Sequence, residues 1–475
     1  MPYFENERKT ELRQIRNRLR EIQGAIFSPS QTIDKIEICV TGPGKGPEPP
    51  PQSGWKPFQI MDRWGGHDQT TWFRLRARVP LSFRGARVAA IMRLAEHSHW
   101  AGVGPRQESG EALAYVNGKP FQGVDRNHDF IVLTEKARGG ESFEILLEAC
   151  PSTWLDMTHV FSRAELAVMN MPVWDFYWDG TVYLDVVEAL DPDSEVRRRL
   201  QALVDAAVRG VDLQHRDGPS FAESLRRARR LLHEGLKDFE TSHHLGKLTL
   251  IGHSHIDTAW LWPLREARRK VGRTWATMLR LMEQYPEFVF AASQPELYMF
   301  AKEHHPELWR QIKRRVKDGR WEPCGASWVE QDNNVPSGEA LVRQFLYGNR
   351  FYVREFGVRS RTAWLPDAFG YPWTLPQILR KCGMDTFCTI KISWSQYTRF
   401  PYGYFHWQGL DGTRIPAVMM PLNYNGDTTP RDCIRQRADF QQKELLEEAP
   451  LTFGWGDGGG GPTPKMIEYG RRLKN

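Results

Sequence analysis

From Lys247 onward, short apolar segments alternate with helix-length segments, and this alternation constrains the fold more than any other feature of the chain. Strands that alternate with helices form parallel βαβ units, and so many units in succession favour a barrel over an open sheet. We therefore predict an α/β protein with an incomplete (β/α)7-type barrel over residues 246–475. The predicted strands are 248–251, 288–292, 321–324, 361–365, 386–391, 415–420 and 451–454.

The chain before the barrel divides into three stretches. Residues 1–55 contain an amphipathic helix over 1–24 and then a segment rich in Pro and Gly. Residues 56–190 carry short alternating strands between turn residues, as in FRLRARV and SFEILLEA, which is typical of a β-sandwich. The apolar period returns to helical over 191–245, which predicts a helical linker between the sandwich and the barrel.

Composition excludes several classes of protein. The net charge is only +6, and the densest basic cluster, 226–230, has the spacing of a solvated helix face rather than of a nucleic-acid footprint. No apolar run approaches the roughly 20 residues of a membrane span, and the amino terminus lacks the apolar segment of a signal peptide. The six cysteines are scattered without a CxxC pair, as in a reducing compartment. We expect a cytoplasmic protein without nucleic-acid or membrane partners.

Polar residues follow the carboxyl ends of the predicted strands, where barrel enzymes place their functional groups. His255 and Asp257 follow the first strand, and residues two apart in extended chain point the same way, so both can bind one metal ion. The alternative is a helix start capped by Asp257. Asp367 follows the fourth strand in the segment PDAFGY and suits a nucleophile, a third metal ligand or a turn residue.

Two further loops combine aromatic residues or glycines with carboxylates. Trp328 lies in the polar loop GASWVEQDNN after the third strand, either facing a sugar ring or packing in the core beneath the loop. Asp457 precedes a run of four glycines after the seventh strand. That run is a flexible turn, a phosphate loop without the Lys-Ser/Thr ending of a Walker motif, or a close approach of the backbone to a ligand.

Together, the segments GHSHIDTAWLWP, WVEQDNNVPSGEALVRQ, WLPDAFGY and GDGGGGPT resemble the catalytic domain of glycoside hydrolase family 38, the α-mannosidases, and most closely its cytosolic and vacuolar branch. The resemblance covers about 246–475, and the sandwich and helices before it fit the amino-terminal region of that branch. It implies a retaining α-mannosidase with a catalytic zinc ion that acts on mannose-containing oligosaccharides.

The resemblance also implies roles for individual residues. His255 and Asp257 would bind zinc, and Asp367 would be both a zinc ligand and the nucleophile. Asp457 would be the general acid/base. A retaining glycosidase needs such a pair of carboxyl groups, one to attack the anomeric carbon and one to protonate the leaving oxygen.

Three residues are candidates for contacting the substrate. Trp260 would stack against the sugar, and Trp328 is a second aromatic candidate. Lys391, at the end of the fifth strand, is either a substrate contact or a solvated charge. If Asp457 is not the acid, we assign that role to Glu330 or Asp332.

Two other functions are left open. A metal-dependent carbohydrate deacetylase would use zinc-bound water but would give Asp367 and Asp457 no paired role, and the chain could instead be an inactive sugar-binding fragment. The family completes its zinc site with a His downstream of the barrel and continues through further domains. Because the chain ends at Asn475, we expect a truncated product with three protein ligands for the metal and some exposed apolar surface. A homo-oligomer is also left open.

Overall fold

The computed structural model describes residues 2–95, 110–151, 156–216, 218–239, 246–420 and 424–474. These residues form an antiparallel sandwich, a layer of helices and a barrel of mainly parallel strands. None of the described helices combines the length and the hydropathy that crossing a membrane requires.

The sandwich consists of two antiparallel sheets, with strand orders β1-β12-β6-β9 and β3-β2-β5-β10-β7-β8, and a short β4-β11 pair. Its strands are β1 (Phe27–Thr32), β2 (Lys35–Thr41), β3 (Lys56–Phe58), β4 (Arg63–Gly65), β5 (Thr70–Arg78), β6 (Val88–Arg93), β7 (Glu111–Val116), β8 (Lys119–Val124), β9 (Phe130–Thr134), β10 (Ser142–Cys150), β11 (Thr158–Val160) and β12 (Arg163–Met169). In β5, Phe73 and Leu75 are buried between the sheets while Arg76 and Arg78 are exposed, as the two-residue period of a strand requires. The predicted β-sandwich is confirmed.

A layer of four helices covers one side of the sandwich and barrel: α1 (Pro2–Gln23), α2 (Met171–Ala189), α3 (Glu195–Arg209) and α4 (Pro219–Leu236). The predicted amphipathic helix is confirmed, because α1 buries Leu12, Ile15, Leu19 and Ile22 at helical spacing against this layer. In contrast, α2 is apolar around most of its circumference, as expected for a helix at the centre of a layer.

Two features of the amino-terminal half differ from the sequence-based expectation. Strands β1 and β2 lie within 1–55, where only the helix and the Pro/Gly-rich segment were predicted. The alternating pattern KIEICVT of β2 is short and directly precedes that segment. Helix α2 lies within 56–190, where only the sandwich was predicted, because an apolar segment without a polar stripe does not distinguish a buried helix from a strand. The domain limits themselves stay a prediction.

All the predicted barrel strands are present, in two sheets with the orders β15-β14-β13-β20 and β16-β17-β19-β18. The strands are β13 (Lys247–His253), β14 (Phe290–Ala292), β15 (Trp321–Pro323), β16 (Thr362–Trp364), β17 (Thr386–Thr389), β18 (Tyr404–Gln408), β19 (Arg414–Met419) and β20 (Glu448–Phe453). The unpredicted β18 pairs antiparallel to β19, and the other neighbours pair in parallel. The surrounding helices are α5 (Leu264–Gln284), α6 (Pro295–His304), α7 (Pro306–Lys317), α8 (Gly338–Phe356), α9 (Leu375–Lys381), α10 (Pro430–Asp439) and α11 (Pro464–Leu473).

The two sheets enclose one apolar interior. Ala291 of β14 and Cys324, which follows β15, pack in a single buried cluster with Trp364 of β16, Cys388 of β17 and Met420, which follows β19. Among the described residues, no strand pairing joins β15 to β16 or β19 to β20. The predicted incomplete barrel is therefore confirmed, and the carboxyl ends of its parallel strands meet at one face.

Helix α5 joins the barrel to the sandwich through buried ion pairs. The Arg269 guanidinium lies 3.0 Å from Glu148 of β10, and Lys270 Nζ lies 2.7 Å from Glu111 of β7. Arg269 also donates to the carbonyl oxygens of Pro43 (3.0 Å) and Gly46 (2.7 Å) in the Pro/Gly-rich segment. A buried charge is costly without a partner, so these pairs define how the sandwich docks.

Candidate active site

His253, the last residue of β13, is a structural histidine. Its Nδ1 lies 2.8 Å from the carbonyl oxygen of Ala291, and its Nε2 lies 3.3 Å from the indole N–H of Trp364. These partners assign Nδ1 as the donor and Nε2 as the acceptor. Burial lowers the pKa of His253 to about 4, so the ring is neutral at physiological pH.

Two residues further along, the buried His255 imidazole lies among three carboxylates. Its Nε2 is 3.1 Å from Asp257 Oδ1 and 3.4 Å from Asp367 Oδ2, and its Nδ1 is 3.0 Å from Glu330 Oε2. Burial by itself would lower the pKa of His255, but the three carboxylates, with Glu330 the strongest, raise it well above its usual value. So much negative charge around one buried ring favours a cation at this point.

Asp367 follows β16 and is fixed through both its backbone and its side chain. Its main-chain N–H donates to the Glu330 carboxylate, and its Oδ1 pairs with Lys391 Nζ. Burial raises the pKa of Asp367, but the contacts with His255 and Lys391 outweigh burial and lower the pKa below its usual value. The carboxylate is therefore ionised at neutral pH, as a carboxylate nucleophile must be.

Asp457, in the loop after β20, has the opposite electrostatic environment. The Tyr424 hydroxyl donates to Asp457 Oδ1 at 2.6 Å. Burial, together with the negative charges of Asp257 and Asp367, raises the pKa of Asp457, although the hydrogen bond from Tyr424 opposes this rise. Neighbouring carboxyl groups with pKa values pushed apart are a recurring basis for dividing acid and nucleophile roles.

These side chains fit a divalent metal ion. One ligand atom each from His255, Asp367 and Asp457 lies within 4.8 Å of the others, and Asp257 Oδ1 lies beside the same His255 Nε2. An imidazole nitrogen with carboxylate oxygens is a donor set that zinc accepts. The structure thus brings together the predicted ligands His255, Asp257 and Asp367.

Glu330 contacts two of the candidate site residues. From the sequence, it was considered only as the acid in case Asp457 does not have that role. Its carboxylate contacts His255 Nδ1 and accepts from the Asp367 main-chain N–H, so it links the ends of β13 and β16. Its own N–H donates to Gln294 Oε1 at 3.1 Å, and Gln294 Nε2 donates to the Ile256 carbonyl at 2.9 Å. The sequence signal for Glu330 was its position in the dense polar loop after β15. Its partners could not be predicted from that loop, because they follow other strands.

The two candidate tryptophans occupy different environments. Trp260 is 51% exposed and contacts Trp262 edge to face, with ring centroids 5.8 Å apart, which leaves ring surface accessible to a ligand. The structure does not bring Trp328 to the site. Its ring packs against Phe351 of α8, and its Nε1 donates to Glu296 at 2.8 Å. Because an indole is apolar with one polar donor, Trp328 anchors the polar loop to the helices, and its contact with a sugar stays a prediction.

Lys391 is buried rather than solvated. Its Nζ lies 3.5 Å from the ring centroid of Trp394 and 4.4 Å from that of Phe369, and it pairs with Asp367. Aromatic faces and a carboxylate compensate a desolvated ammonium. The structure therefore brings Lys391 to the candidate nucleophile, while its contact with substrate stays a prediction.

The glycine-rich loop approaches the end of β13 closely. A Cβ at Gly454, whose φ is +126°, would lie 2.1 Å from the His253 carbonyl oxygen, so only glycine fits there. The Gly458 N–H donates to the His255 carbonyl at 3.1 Å and is not available to a phosphate. These contacts pack the loop against the backbone of β13, and an approach of the glycine run to a ligand beside Asp457 stays a prediction.

Comparison with known proteins identifies two families along the chain. Residues 246–475 match the family described as "Glycosyl hydrolases family 38 N-terminal domain". Residues 48–170 match the family described as "Alpha-mannosidase, jelly roll domain". The two matches correspond to the barrel and to most of the sandwich.

The chain is also similar to curated proteins. It is 34% identical to alpha-mannosidase 2C1 of Homo sapiens over 474 residues, which cover 96% of this chain and 43% of that protein. It is 35% identical to an alpha-mannosidase of Saccharomyces cerevisiae over 325 residues, which cover 66% of this chain and 30% of that protein. The chain therefore spans less than half the length of these relatives.

A solved structure, that of an alpha-mannosidase from Enterococcus faecalis V583, aligns with a TM-score of 0.43 at 23% identity over 48% of this chain and 27% of that chain. Through residues 246–475, the chain belongs to glycosyl hydrolase family 38.

Proposed function

We propose that this chain is the catalytic portion of a retaining, zinc-dependent α-mannosidase. The observation that carries the proposal is the pair Asp367 and Asp457, whose oxygens lie within 4.8 Å of each other and whose pKa values shift in opposite directions. Retaining glycosidases hold their two carboxyl groups about 5–5.5 Å apart and inverting enzymes about 6.5–9.5 Å apart. The short separation therefore supports retention.

In this proposal, the ionised Asp367 attacks the anomeric carbon while Asp457 gives its proton to the leaving oxygen. The glycosidic C–O bond breaks, and a bond between the Asp367 carboxylate and the anomeric carbon forms. Asp457, now ionised, then takes a proton from water, which attacks the same carbon and releases Asp367. Lys391 pairs with Asp367 and keeps its carboxylate ionised and oriented.

His255, Asp257 and Asp367 would hold the zinc ion. When bound, zinc would coordinate sugar hydroxyls and orient the ring. Asp457 also lies close, but its raised pKa suits an acid that keeps its proton rather than a ligand that must lose it. Glu330 faces His255 Nδ1, and this contact leaves Nε2 as the donor atom for a metal.

Mannose is the proposed sugar because the human and yeast relatives are α-mannosidases by name. We propose mannose-containing oligosaccharides as substrates, with Trp260 offering a ring face to the sugar. A cytoplasmic location is supported by the six cysteines, all of which are free. The absence of nucleic-acid and membrane partners and the formation of a homo-oligomer stay predictions.

The test is hydrolysis of an aryl α-mannoside by the chain with added zinc, with the first-formed product anomer identified by NMR. We expect α-mannose to form first. Initial release of β-mannose would contradict retention. Release of acetate from an acetylated sugar without mannoside hydrolysis would favour the deacetylase, and sugar binding without either reaction would favour an inactive sugar-binding protein.

A further inference from the structure

The indole of Trp262 holds the main chain of a candidate metal ligand. Trp262 is buried, and its Nε1–H donates to the carbonyl oxygen of Asp257 at 3.1 Å. Its ring also contacts Trp260 edge to face. Because a buried ring has little freedom to move, this hydrogen bond fixes the main chain from which the Asp257 carboxylate reaches His255 Nε2.

The Trp262 ring is fixed in turn by Lys270 of α5. Lys270 Nζ lies 4.4 Å from the ring centroid, which is within the range of a cation–π interaction. Lys270 is buried, so its ammonium group has lost water and depends on the partners that the fold provides. Desolvation strengthens the attraction between a cation and a ring face, and the contact therefore restrains rotation of the indole.

The same two side chains support the loop that carries Asp457. A Cβ at Gly458, whose φ is +84°, would lie 2.8 Å from Lys270 Cδ and 3.1 Å from Trp262 Cη2. The backbone of Gly458 therefore lies directly against both side chains, and its N–H donates to the His255 carbonyl. Lys270 and Trp262 thus contact the loop of the candidate acid as well as the segment of the metal ligands.

The charge partner of Lys270 belongs to the sandwich. Lys270 Nζ lies 2.7 Å from Glu111 of β7, and the Glu111 carboxylate also lies 3.1 Å from Arg273. A chain of contacts thus runs from Glu111, through Lys270 and the Trp262 indole, to the main chain of the metal ligand. This chain crosses from one domain to the other and ends at the candidate metal site.

We infer that Lys270 is a positioning residue of the metal site, because it fixes the Trp262 ring that holds the main chain of Asp257. The inference rests on the proposed zinc-dependent function and gives the sandwich a part in metal binding as well as in stability. Lys270 acts through Trp262 and is not itself a catalytic residue. Since metal affinity falls when the groups that orient the ligands are lost, removing this charge should weaken zinc binding while every ligand side chain remains.

Competitive chelator titration of zinc against Lys270→Met tests the inference. Methionine removes the charge but keeps an unbranched side chain, and Arg273 remains as a partner for Glu111. We expect zinc binding to weaken by about tenfold, the lower end of the effect of outer-shell partners. Trp262→Phe keeps a ring beside Lys270 and removes the N–H donor, so it should weaken zinc binding by a similar factor. In the double variant the two losses should not add, because both act through the same hydrogen bond to Asp257.

Two matched controls separate positioning from general stability. Arg269→Met removes an equally buried charge of α5 whose partner, Glu148, also lies in the sandwich, and Glu148 keeps the hydrogen bond from the Tyr115 hydroxyl at 3.2 Å. Trp64→Phe removes another buried indole N–H, which donates to the Leu94 carbonyl at 2.7 Å within the sandwich. Thermal unfolding is measured for all variants, and both controls should lower stability but keep the zinc affinity of the wild type.

The outcomes separate this inference from the proposed function. If the wild type binds zinc and hydrolyses the mannoside, but Lys270→Met and Trp262→Phe bind zinc no more weakly than the controls, the inference is wrong while the proposed function stands. A loss of about a hundredfold in the double variant, as expected for two independent effects, would also overturn it. If Lys270→Met does not fold, the comparison of Trp262→Phe with Trp64→Phe decides the question. If the wild type binds no zinc, the proposed function and the inference fail together.

Discussion

The Nε2 of His128, in the loop after β8 of the sandwich, lies 3.0 Å from the carbonyl oxygen of Pro462, which closes the glycine-rich loop of the barrel. The Asp125 carboxylate holds the other ring nitrogen, with Nδ1 3.0 Å from Oδ2. A Cβ at Gly460 would lie 2.8 Å from Asp125, so the two segments are in close contact. The sandwich thus supports the loop that carries Asp457.

We expect His128→Ala to loosen the glycine-rich loop and to destabilise the protein by about 1–3 kcal/mol, since it leaves the buried Pro462 carbonyl and Asp125 without their donor. Hydrogen–deuterium exchange should increase in residues 456–462. His159→Ala is the matched control, because His159 is also buried and its Nε2 also faces a proline carbonyl, that of Pro151 at 3.1 Å, within the sandwich. Equal exchange in 456–462 for the two variants would argue against a specific role for His128.

The same pair predicts a pH dependence of stability. Burial lowers the pKa of His128, but Asp125, with smaller contributions from the Pro462 carbonyl and Asp129, outweighs burial and raises it. A group with a raised folded-state pKa contributes stability that is complete below its unfolded value of about 6.5 and is lost as the pH rises through the folded value. The difference in unfolding free energy between wild type and His128→Gln should therefore be largest below pH 6.5 and shrink at higher pH. A difference that grows with pH would contradict this assignment.

For the metal site, His255→Ala or Asp257→Ala should sharply reduce bound zinc, because each removes one of few protein ligands. Glu330→Gln should keep the ligands but weaken zinc binding by about 10–100-fold, because it alters the group that orients His255. Metal analysis after dialysis and a competitive chelator titration measure both effects. Equal zinc content in wild type and in both ligand variants would exclude this site.

The two carboxylates should respond differently to removal. Asp367→Ala should abolish turnover of every α-mannoside, because no covalent intermediate can form. Asp457→Ala should impair substrates with poor leaving groups most, because an activated aryl mannoside needs little protonation. Added azide should restore turnover in Asp457→Ala but give no product of retained configuration in Asp367→Ala. If Asp457→Ala slows all leaving groups equally without an azide response, Asp457 is not the acid.

Much of the site could be predicted from local sequence. His255 and Asp257 lie two residues apart after a strand, and Asp367 and Asp457 each follow another strand of the same parallel barrel, so the strand pattern alone brings them to one face. Trp328 also follows a strand, but the structure packs its ring against helix α8. Whether an exposed-looking indole faces a ligand or the surrounding helices depends on its packing partners, here Phe351 and Glu296.

By itself, the sequence determined the alternation of strands and helices in the barrel, apart from β18, together with the barrel class and the positions of the candidate catalytic carboxylates along the chain. These follow from the period of apolar residues and from short motifs. Only the tertiary structure decided that Glu330 faces His255, that Lys391 is buried against Asp367, and that His128 of the sandwich holds the Pro462 carbonyl. Each of these contacts joins residues on different strands or domains. Their distances depend on how the layers pack, because a buried charge or polar group can pair only with groups that the packing brings within hydrogen-bond reach.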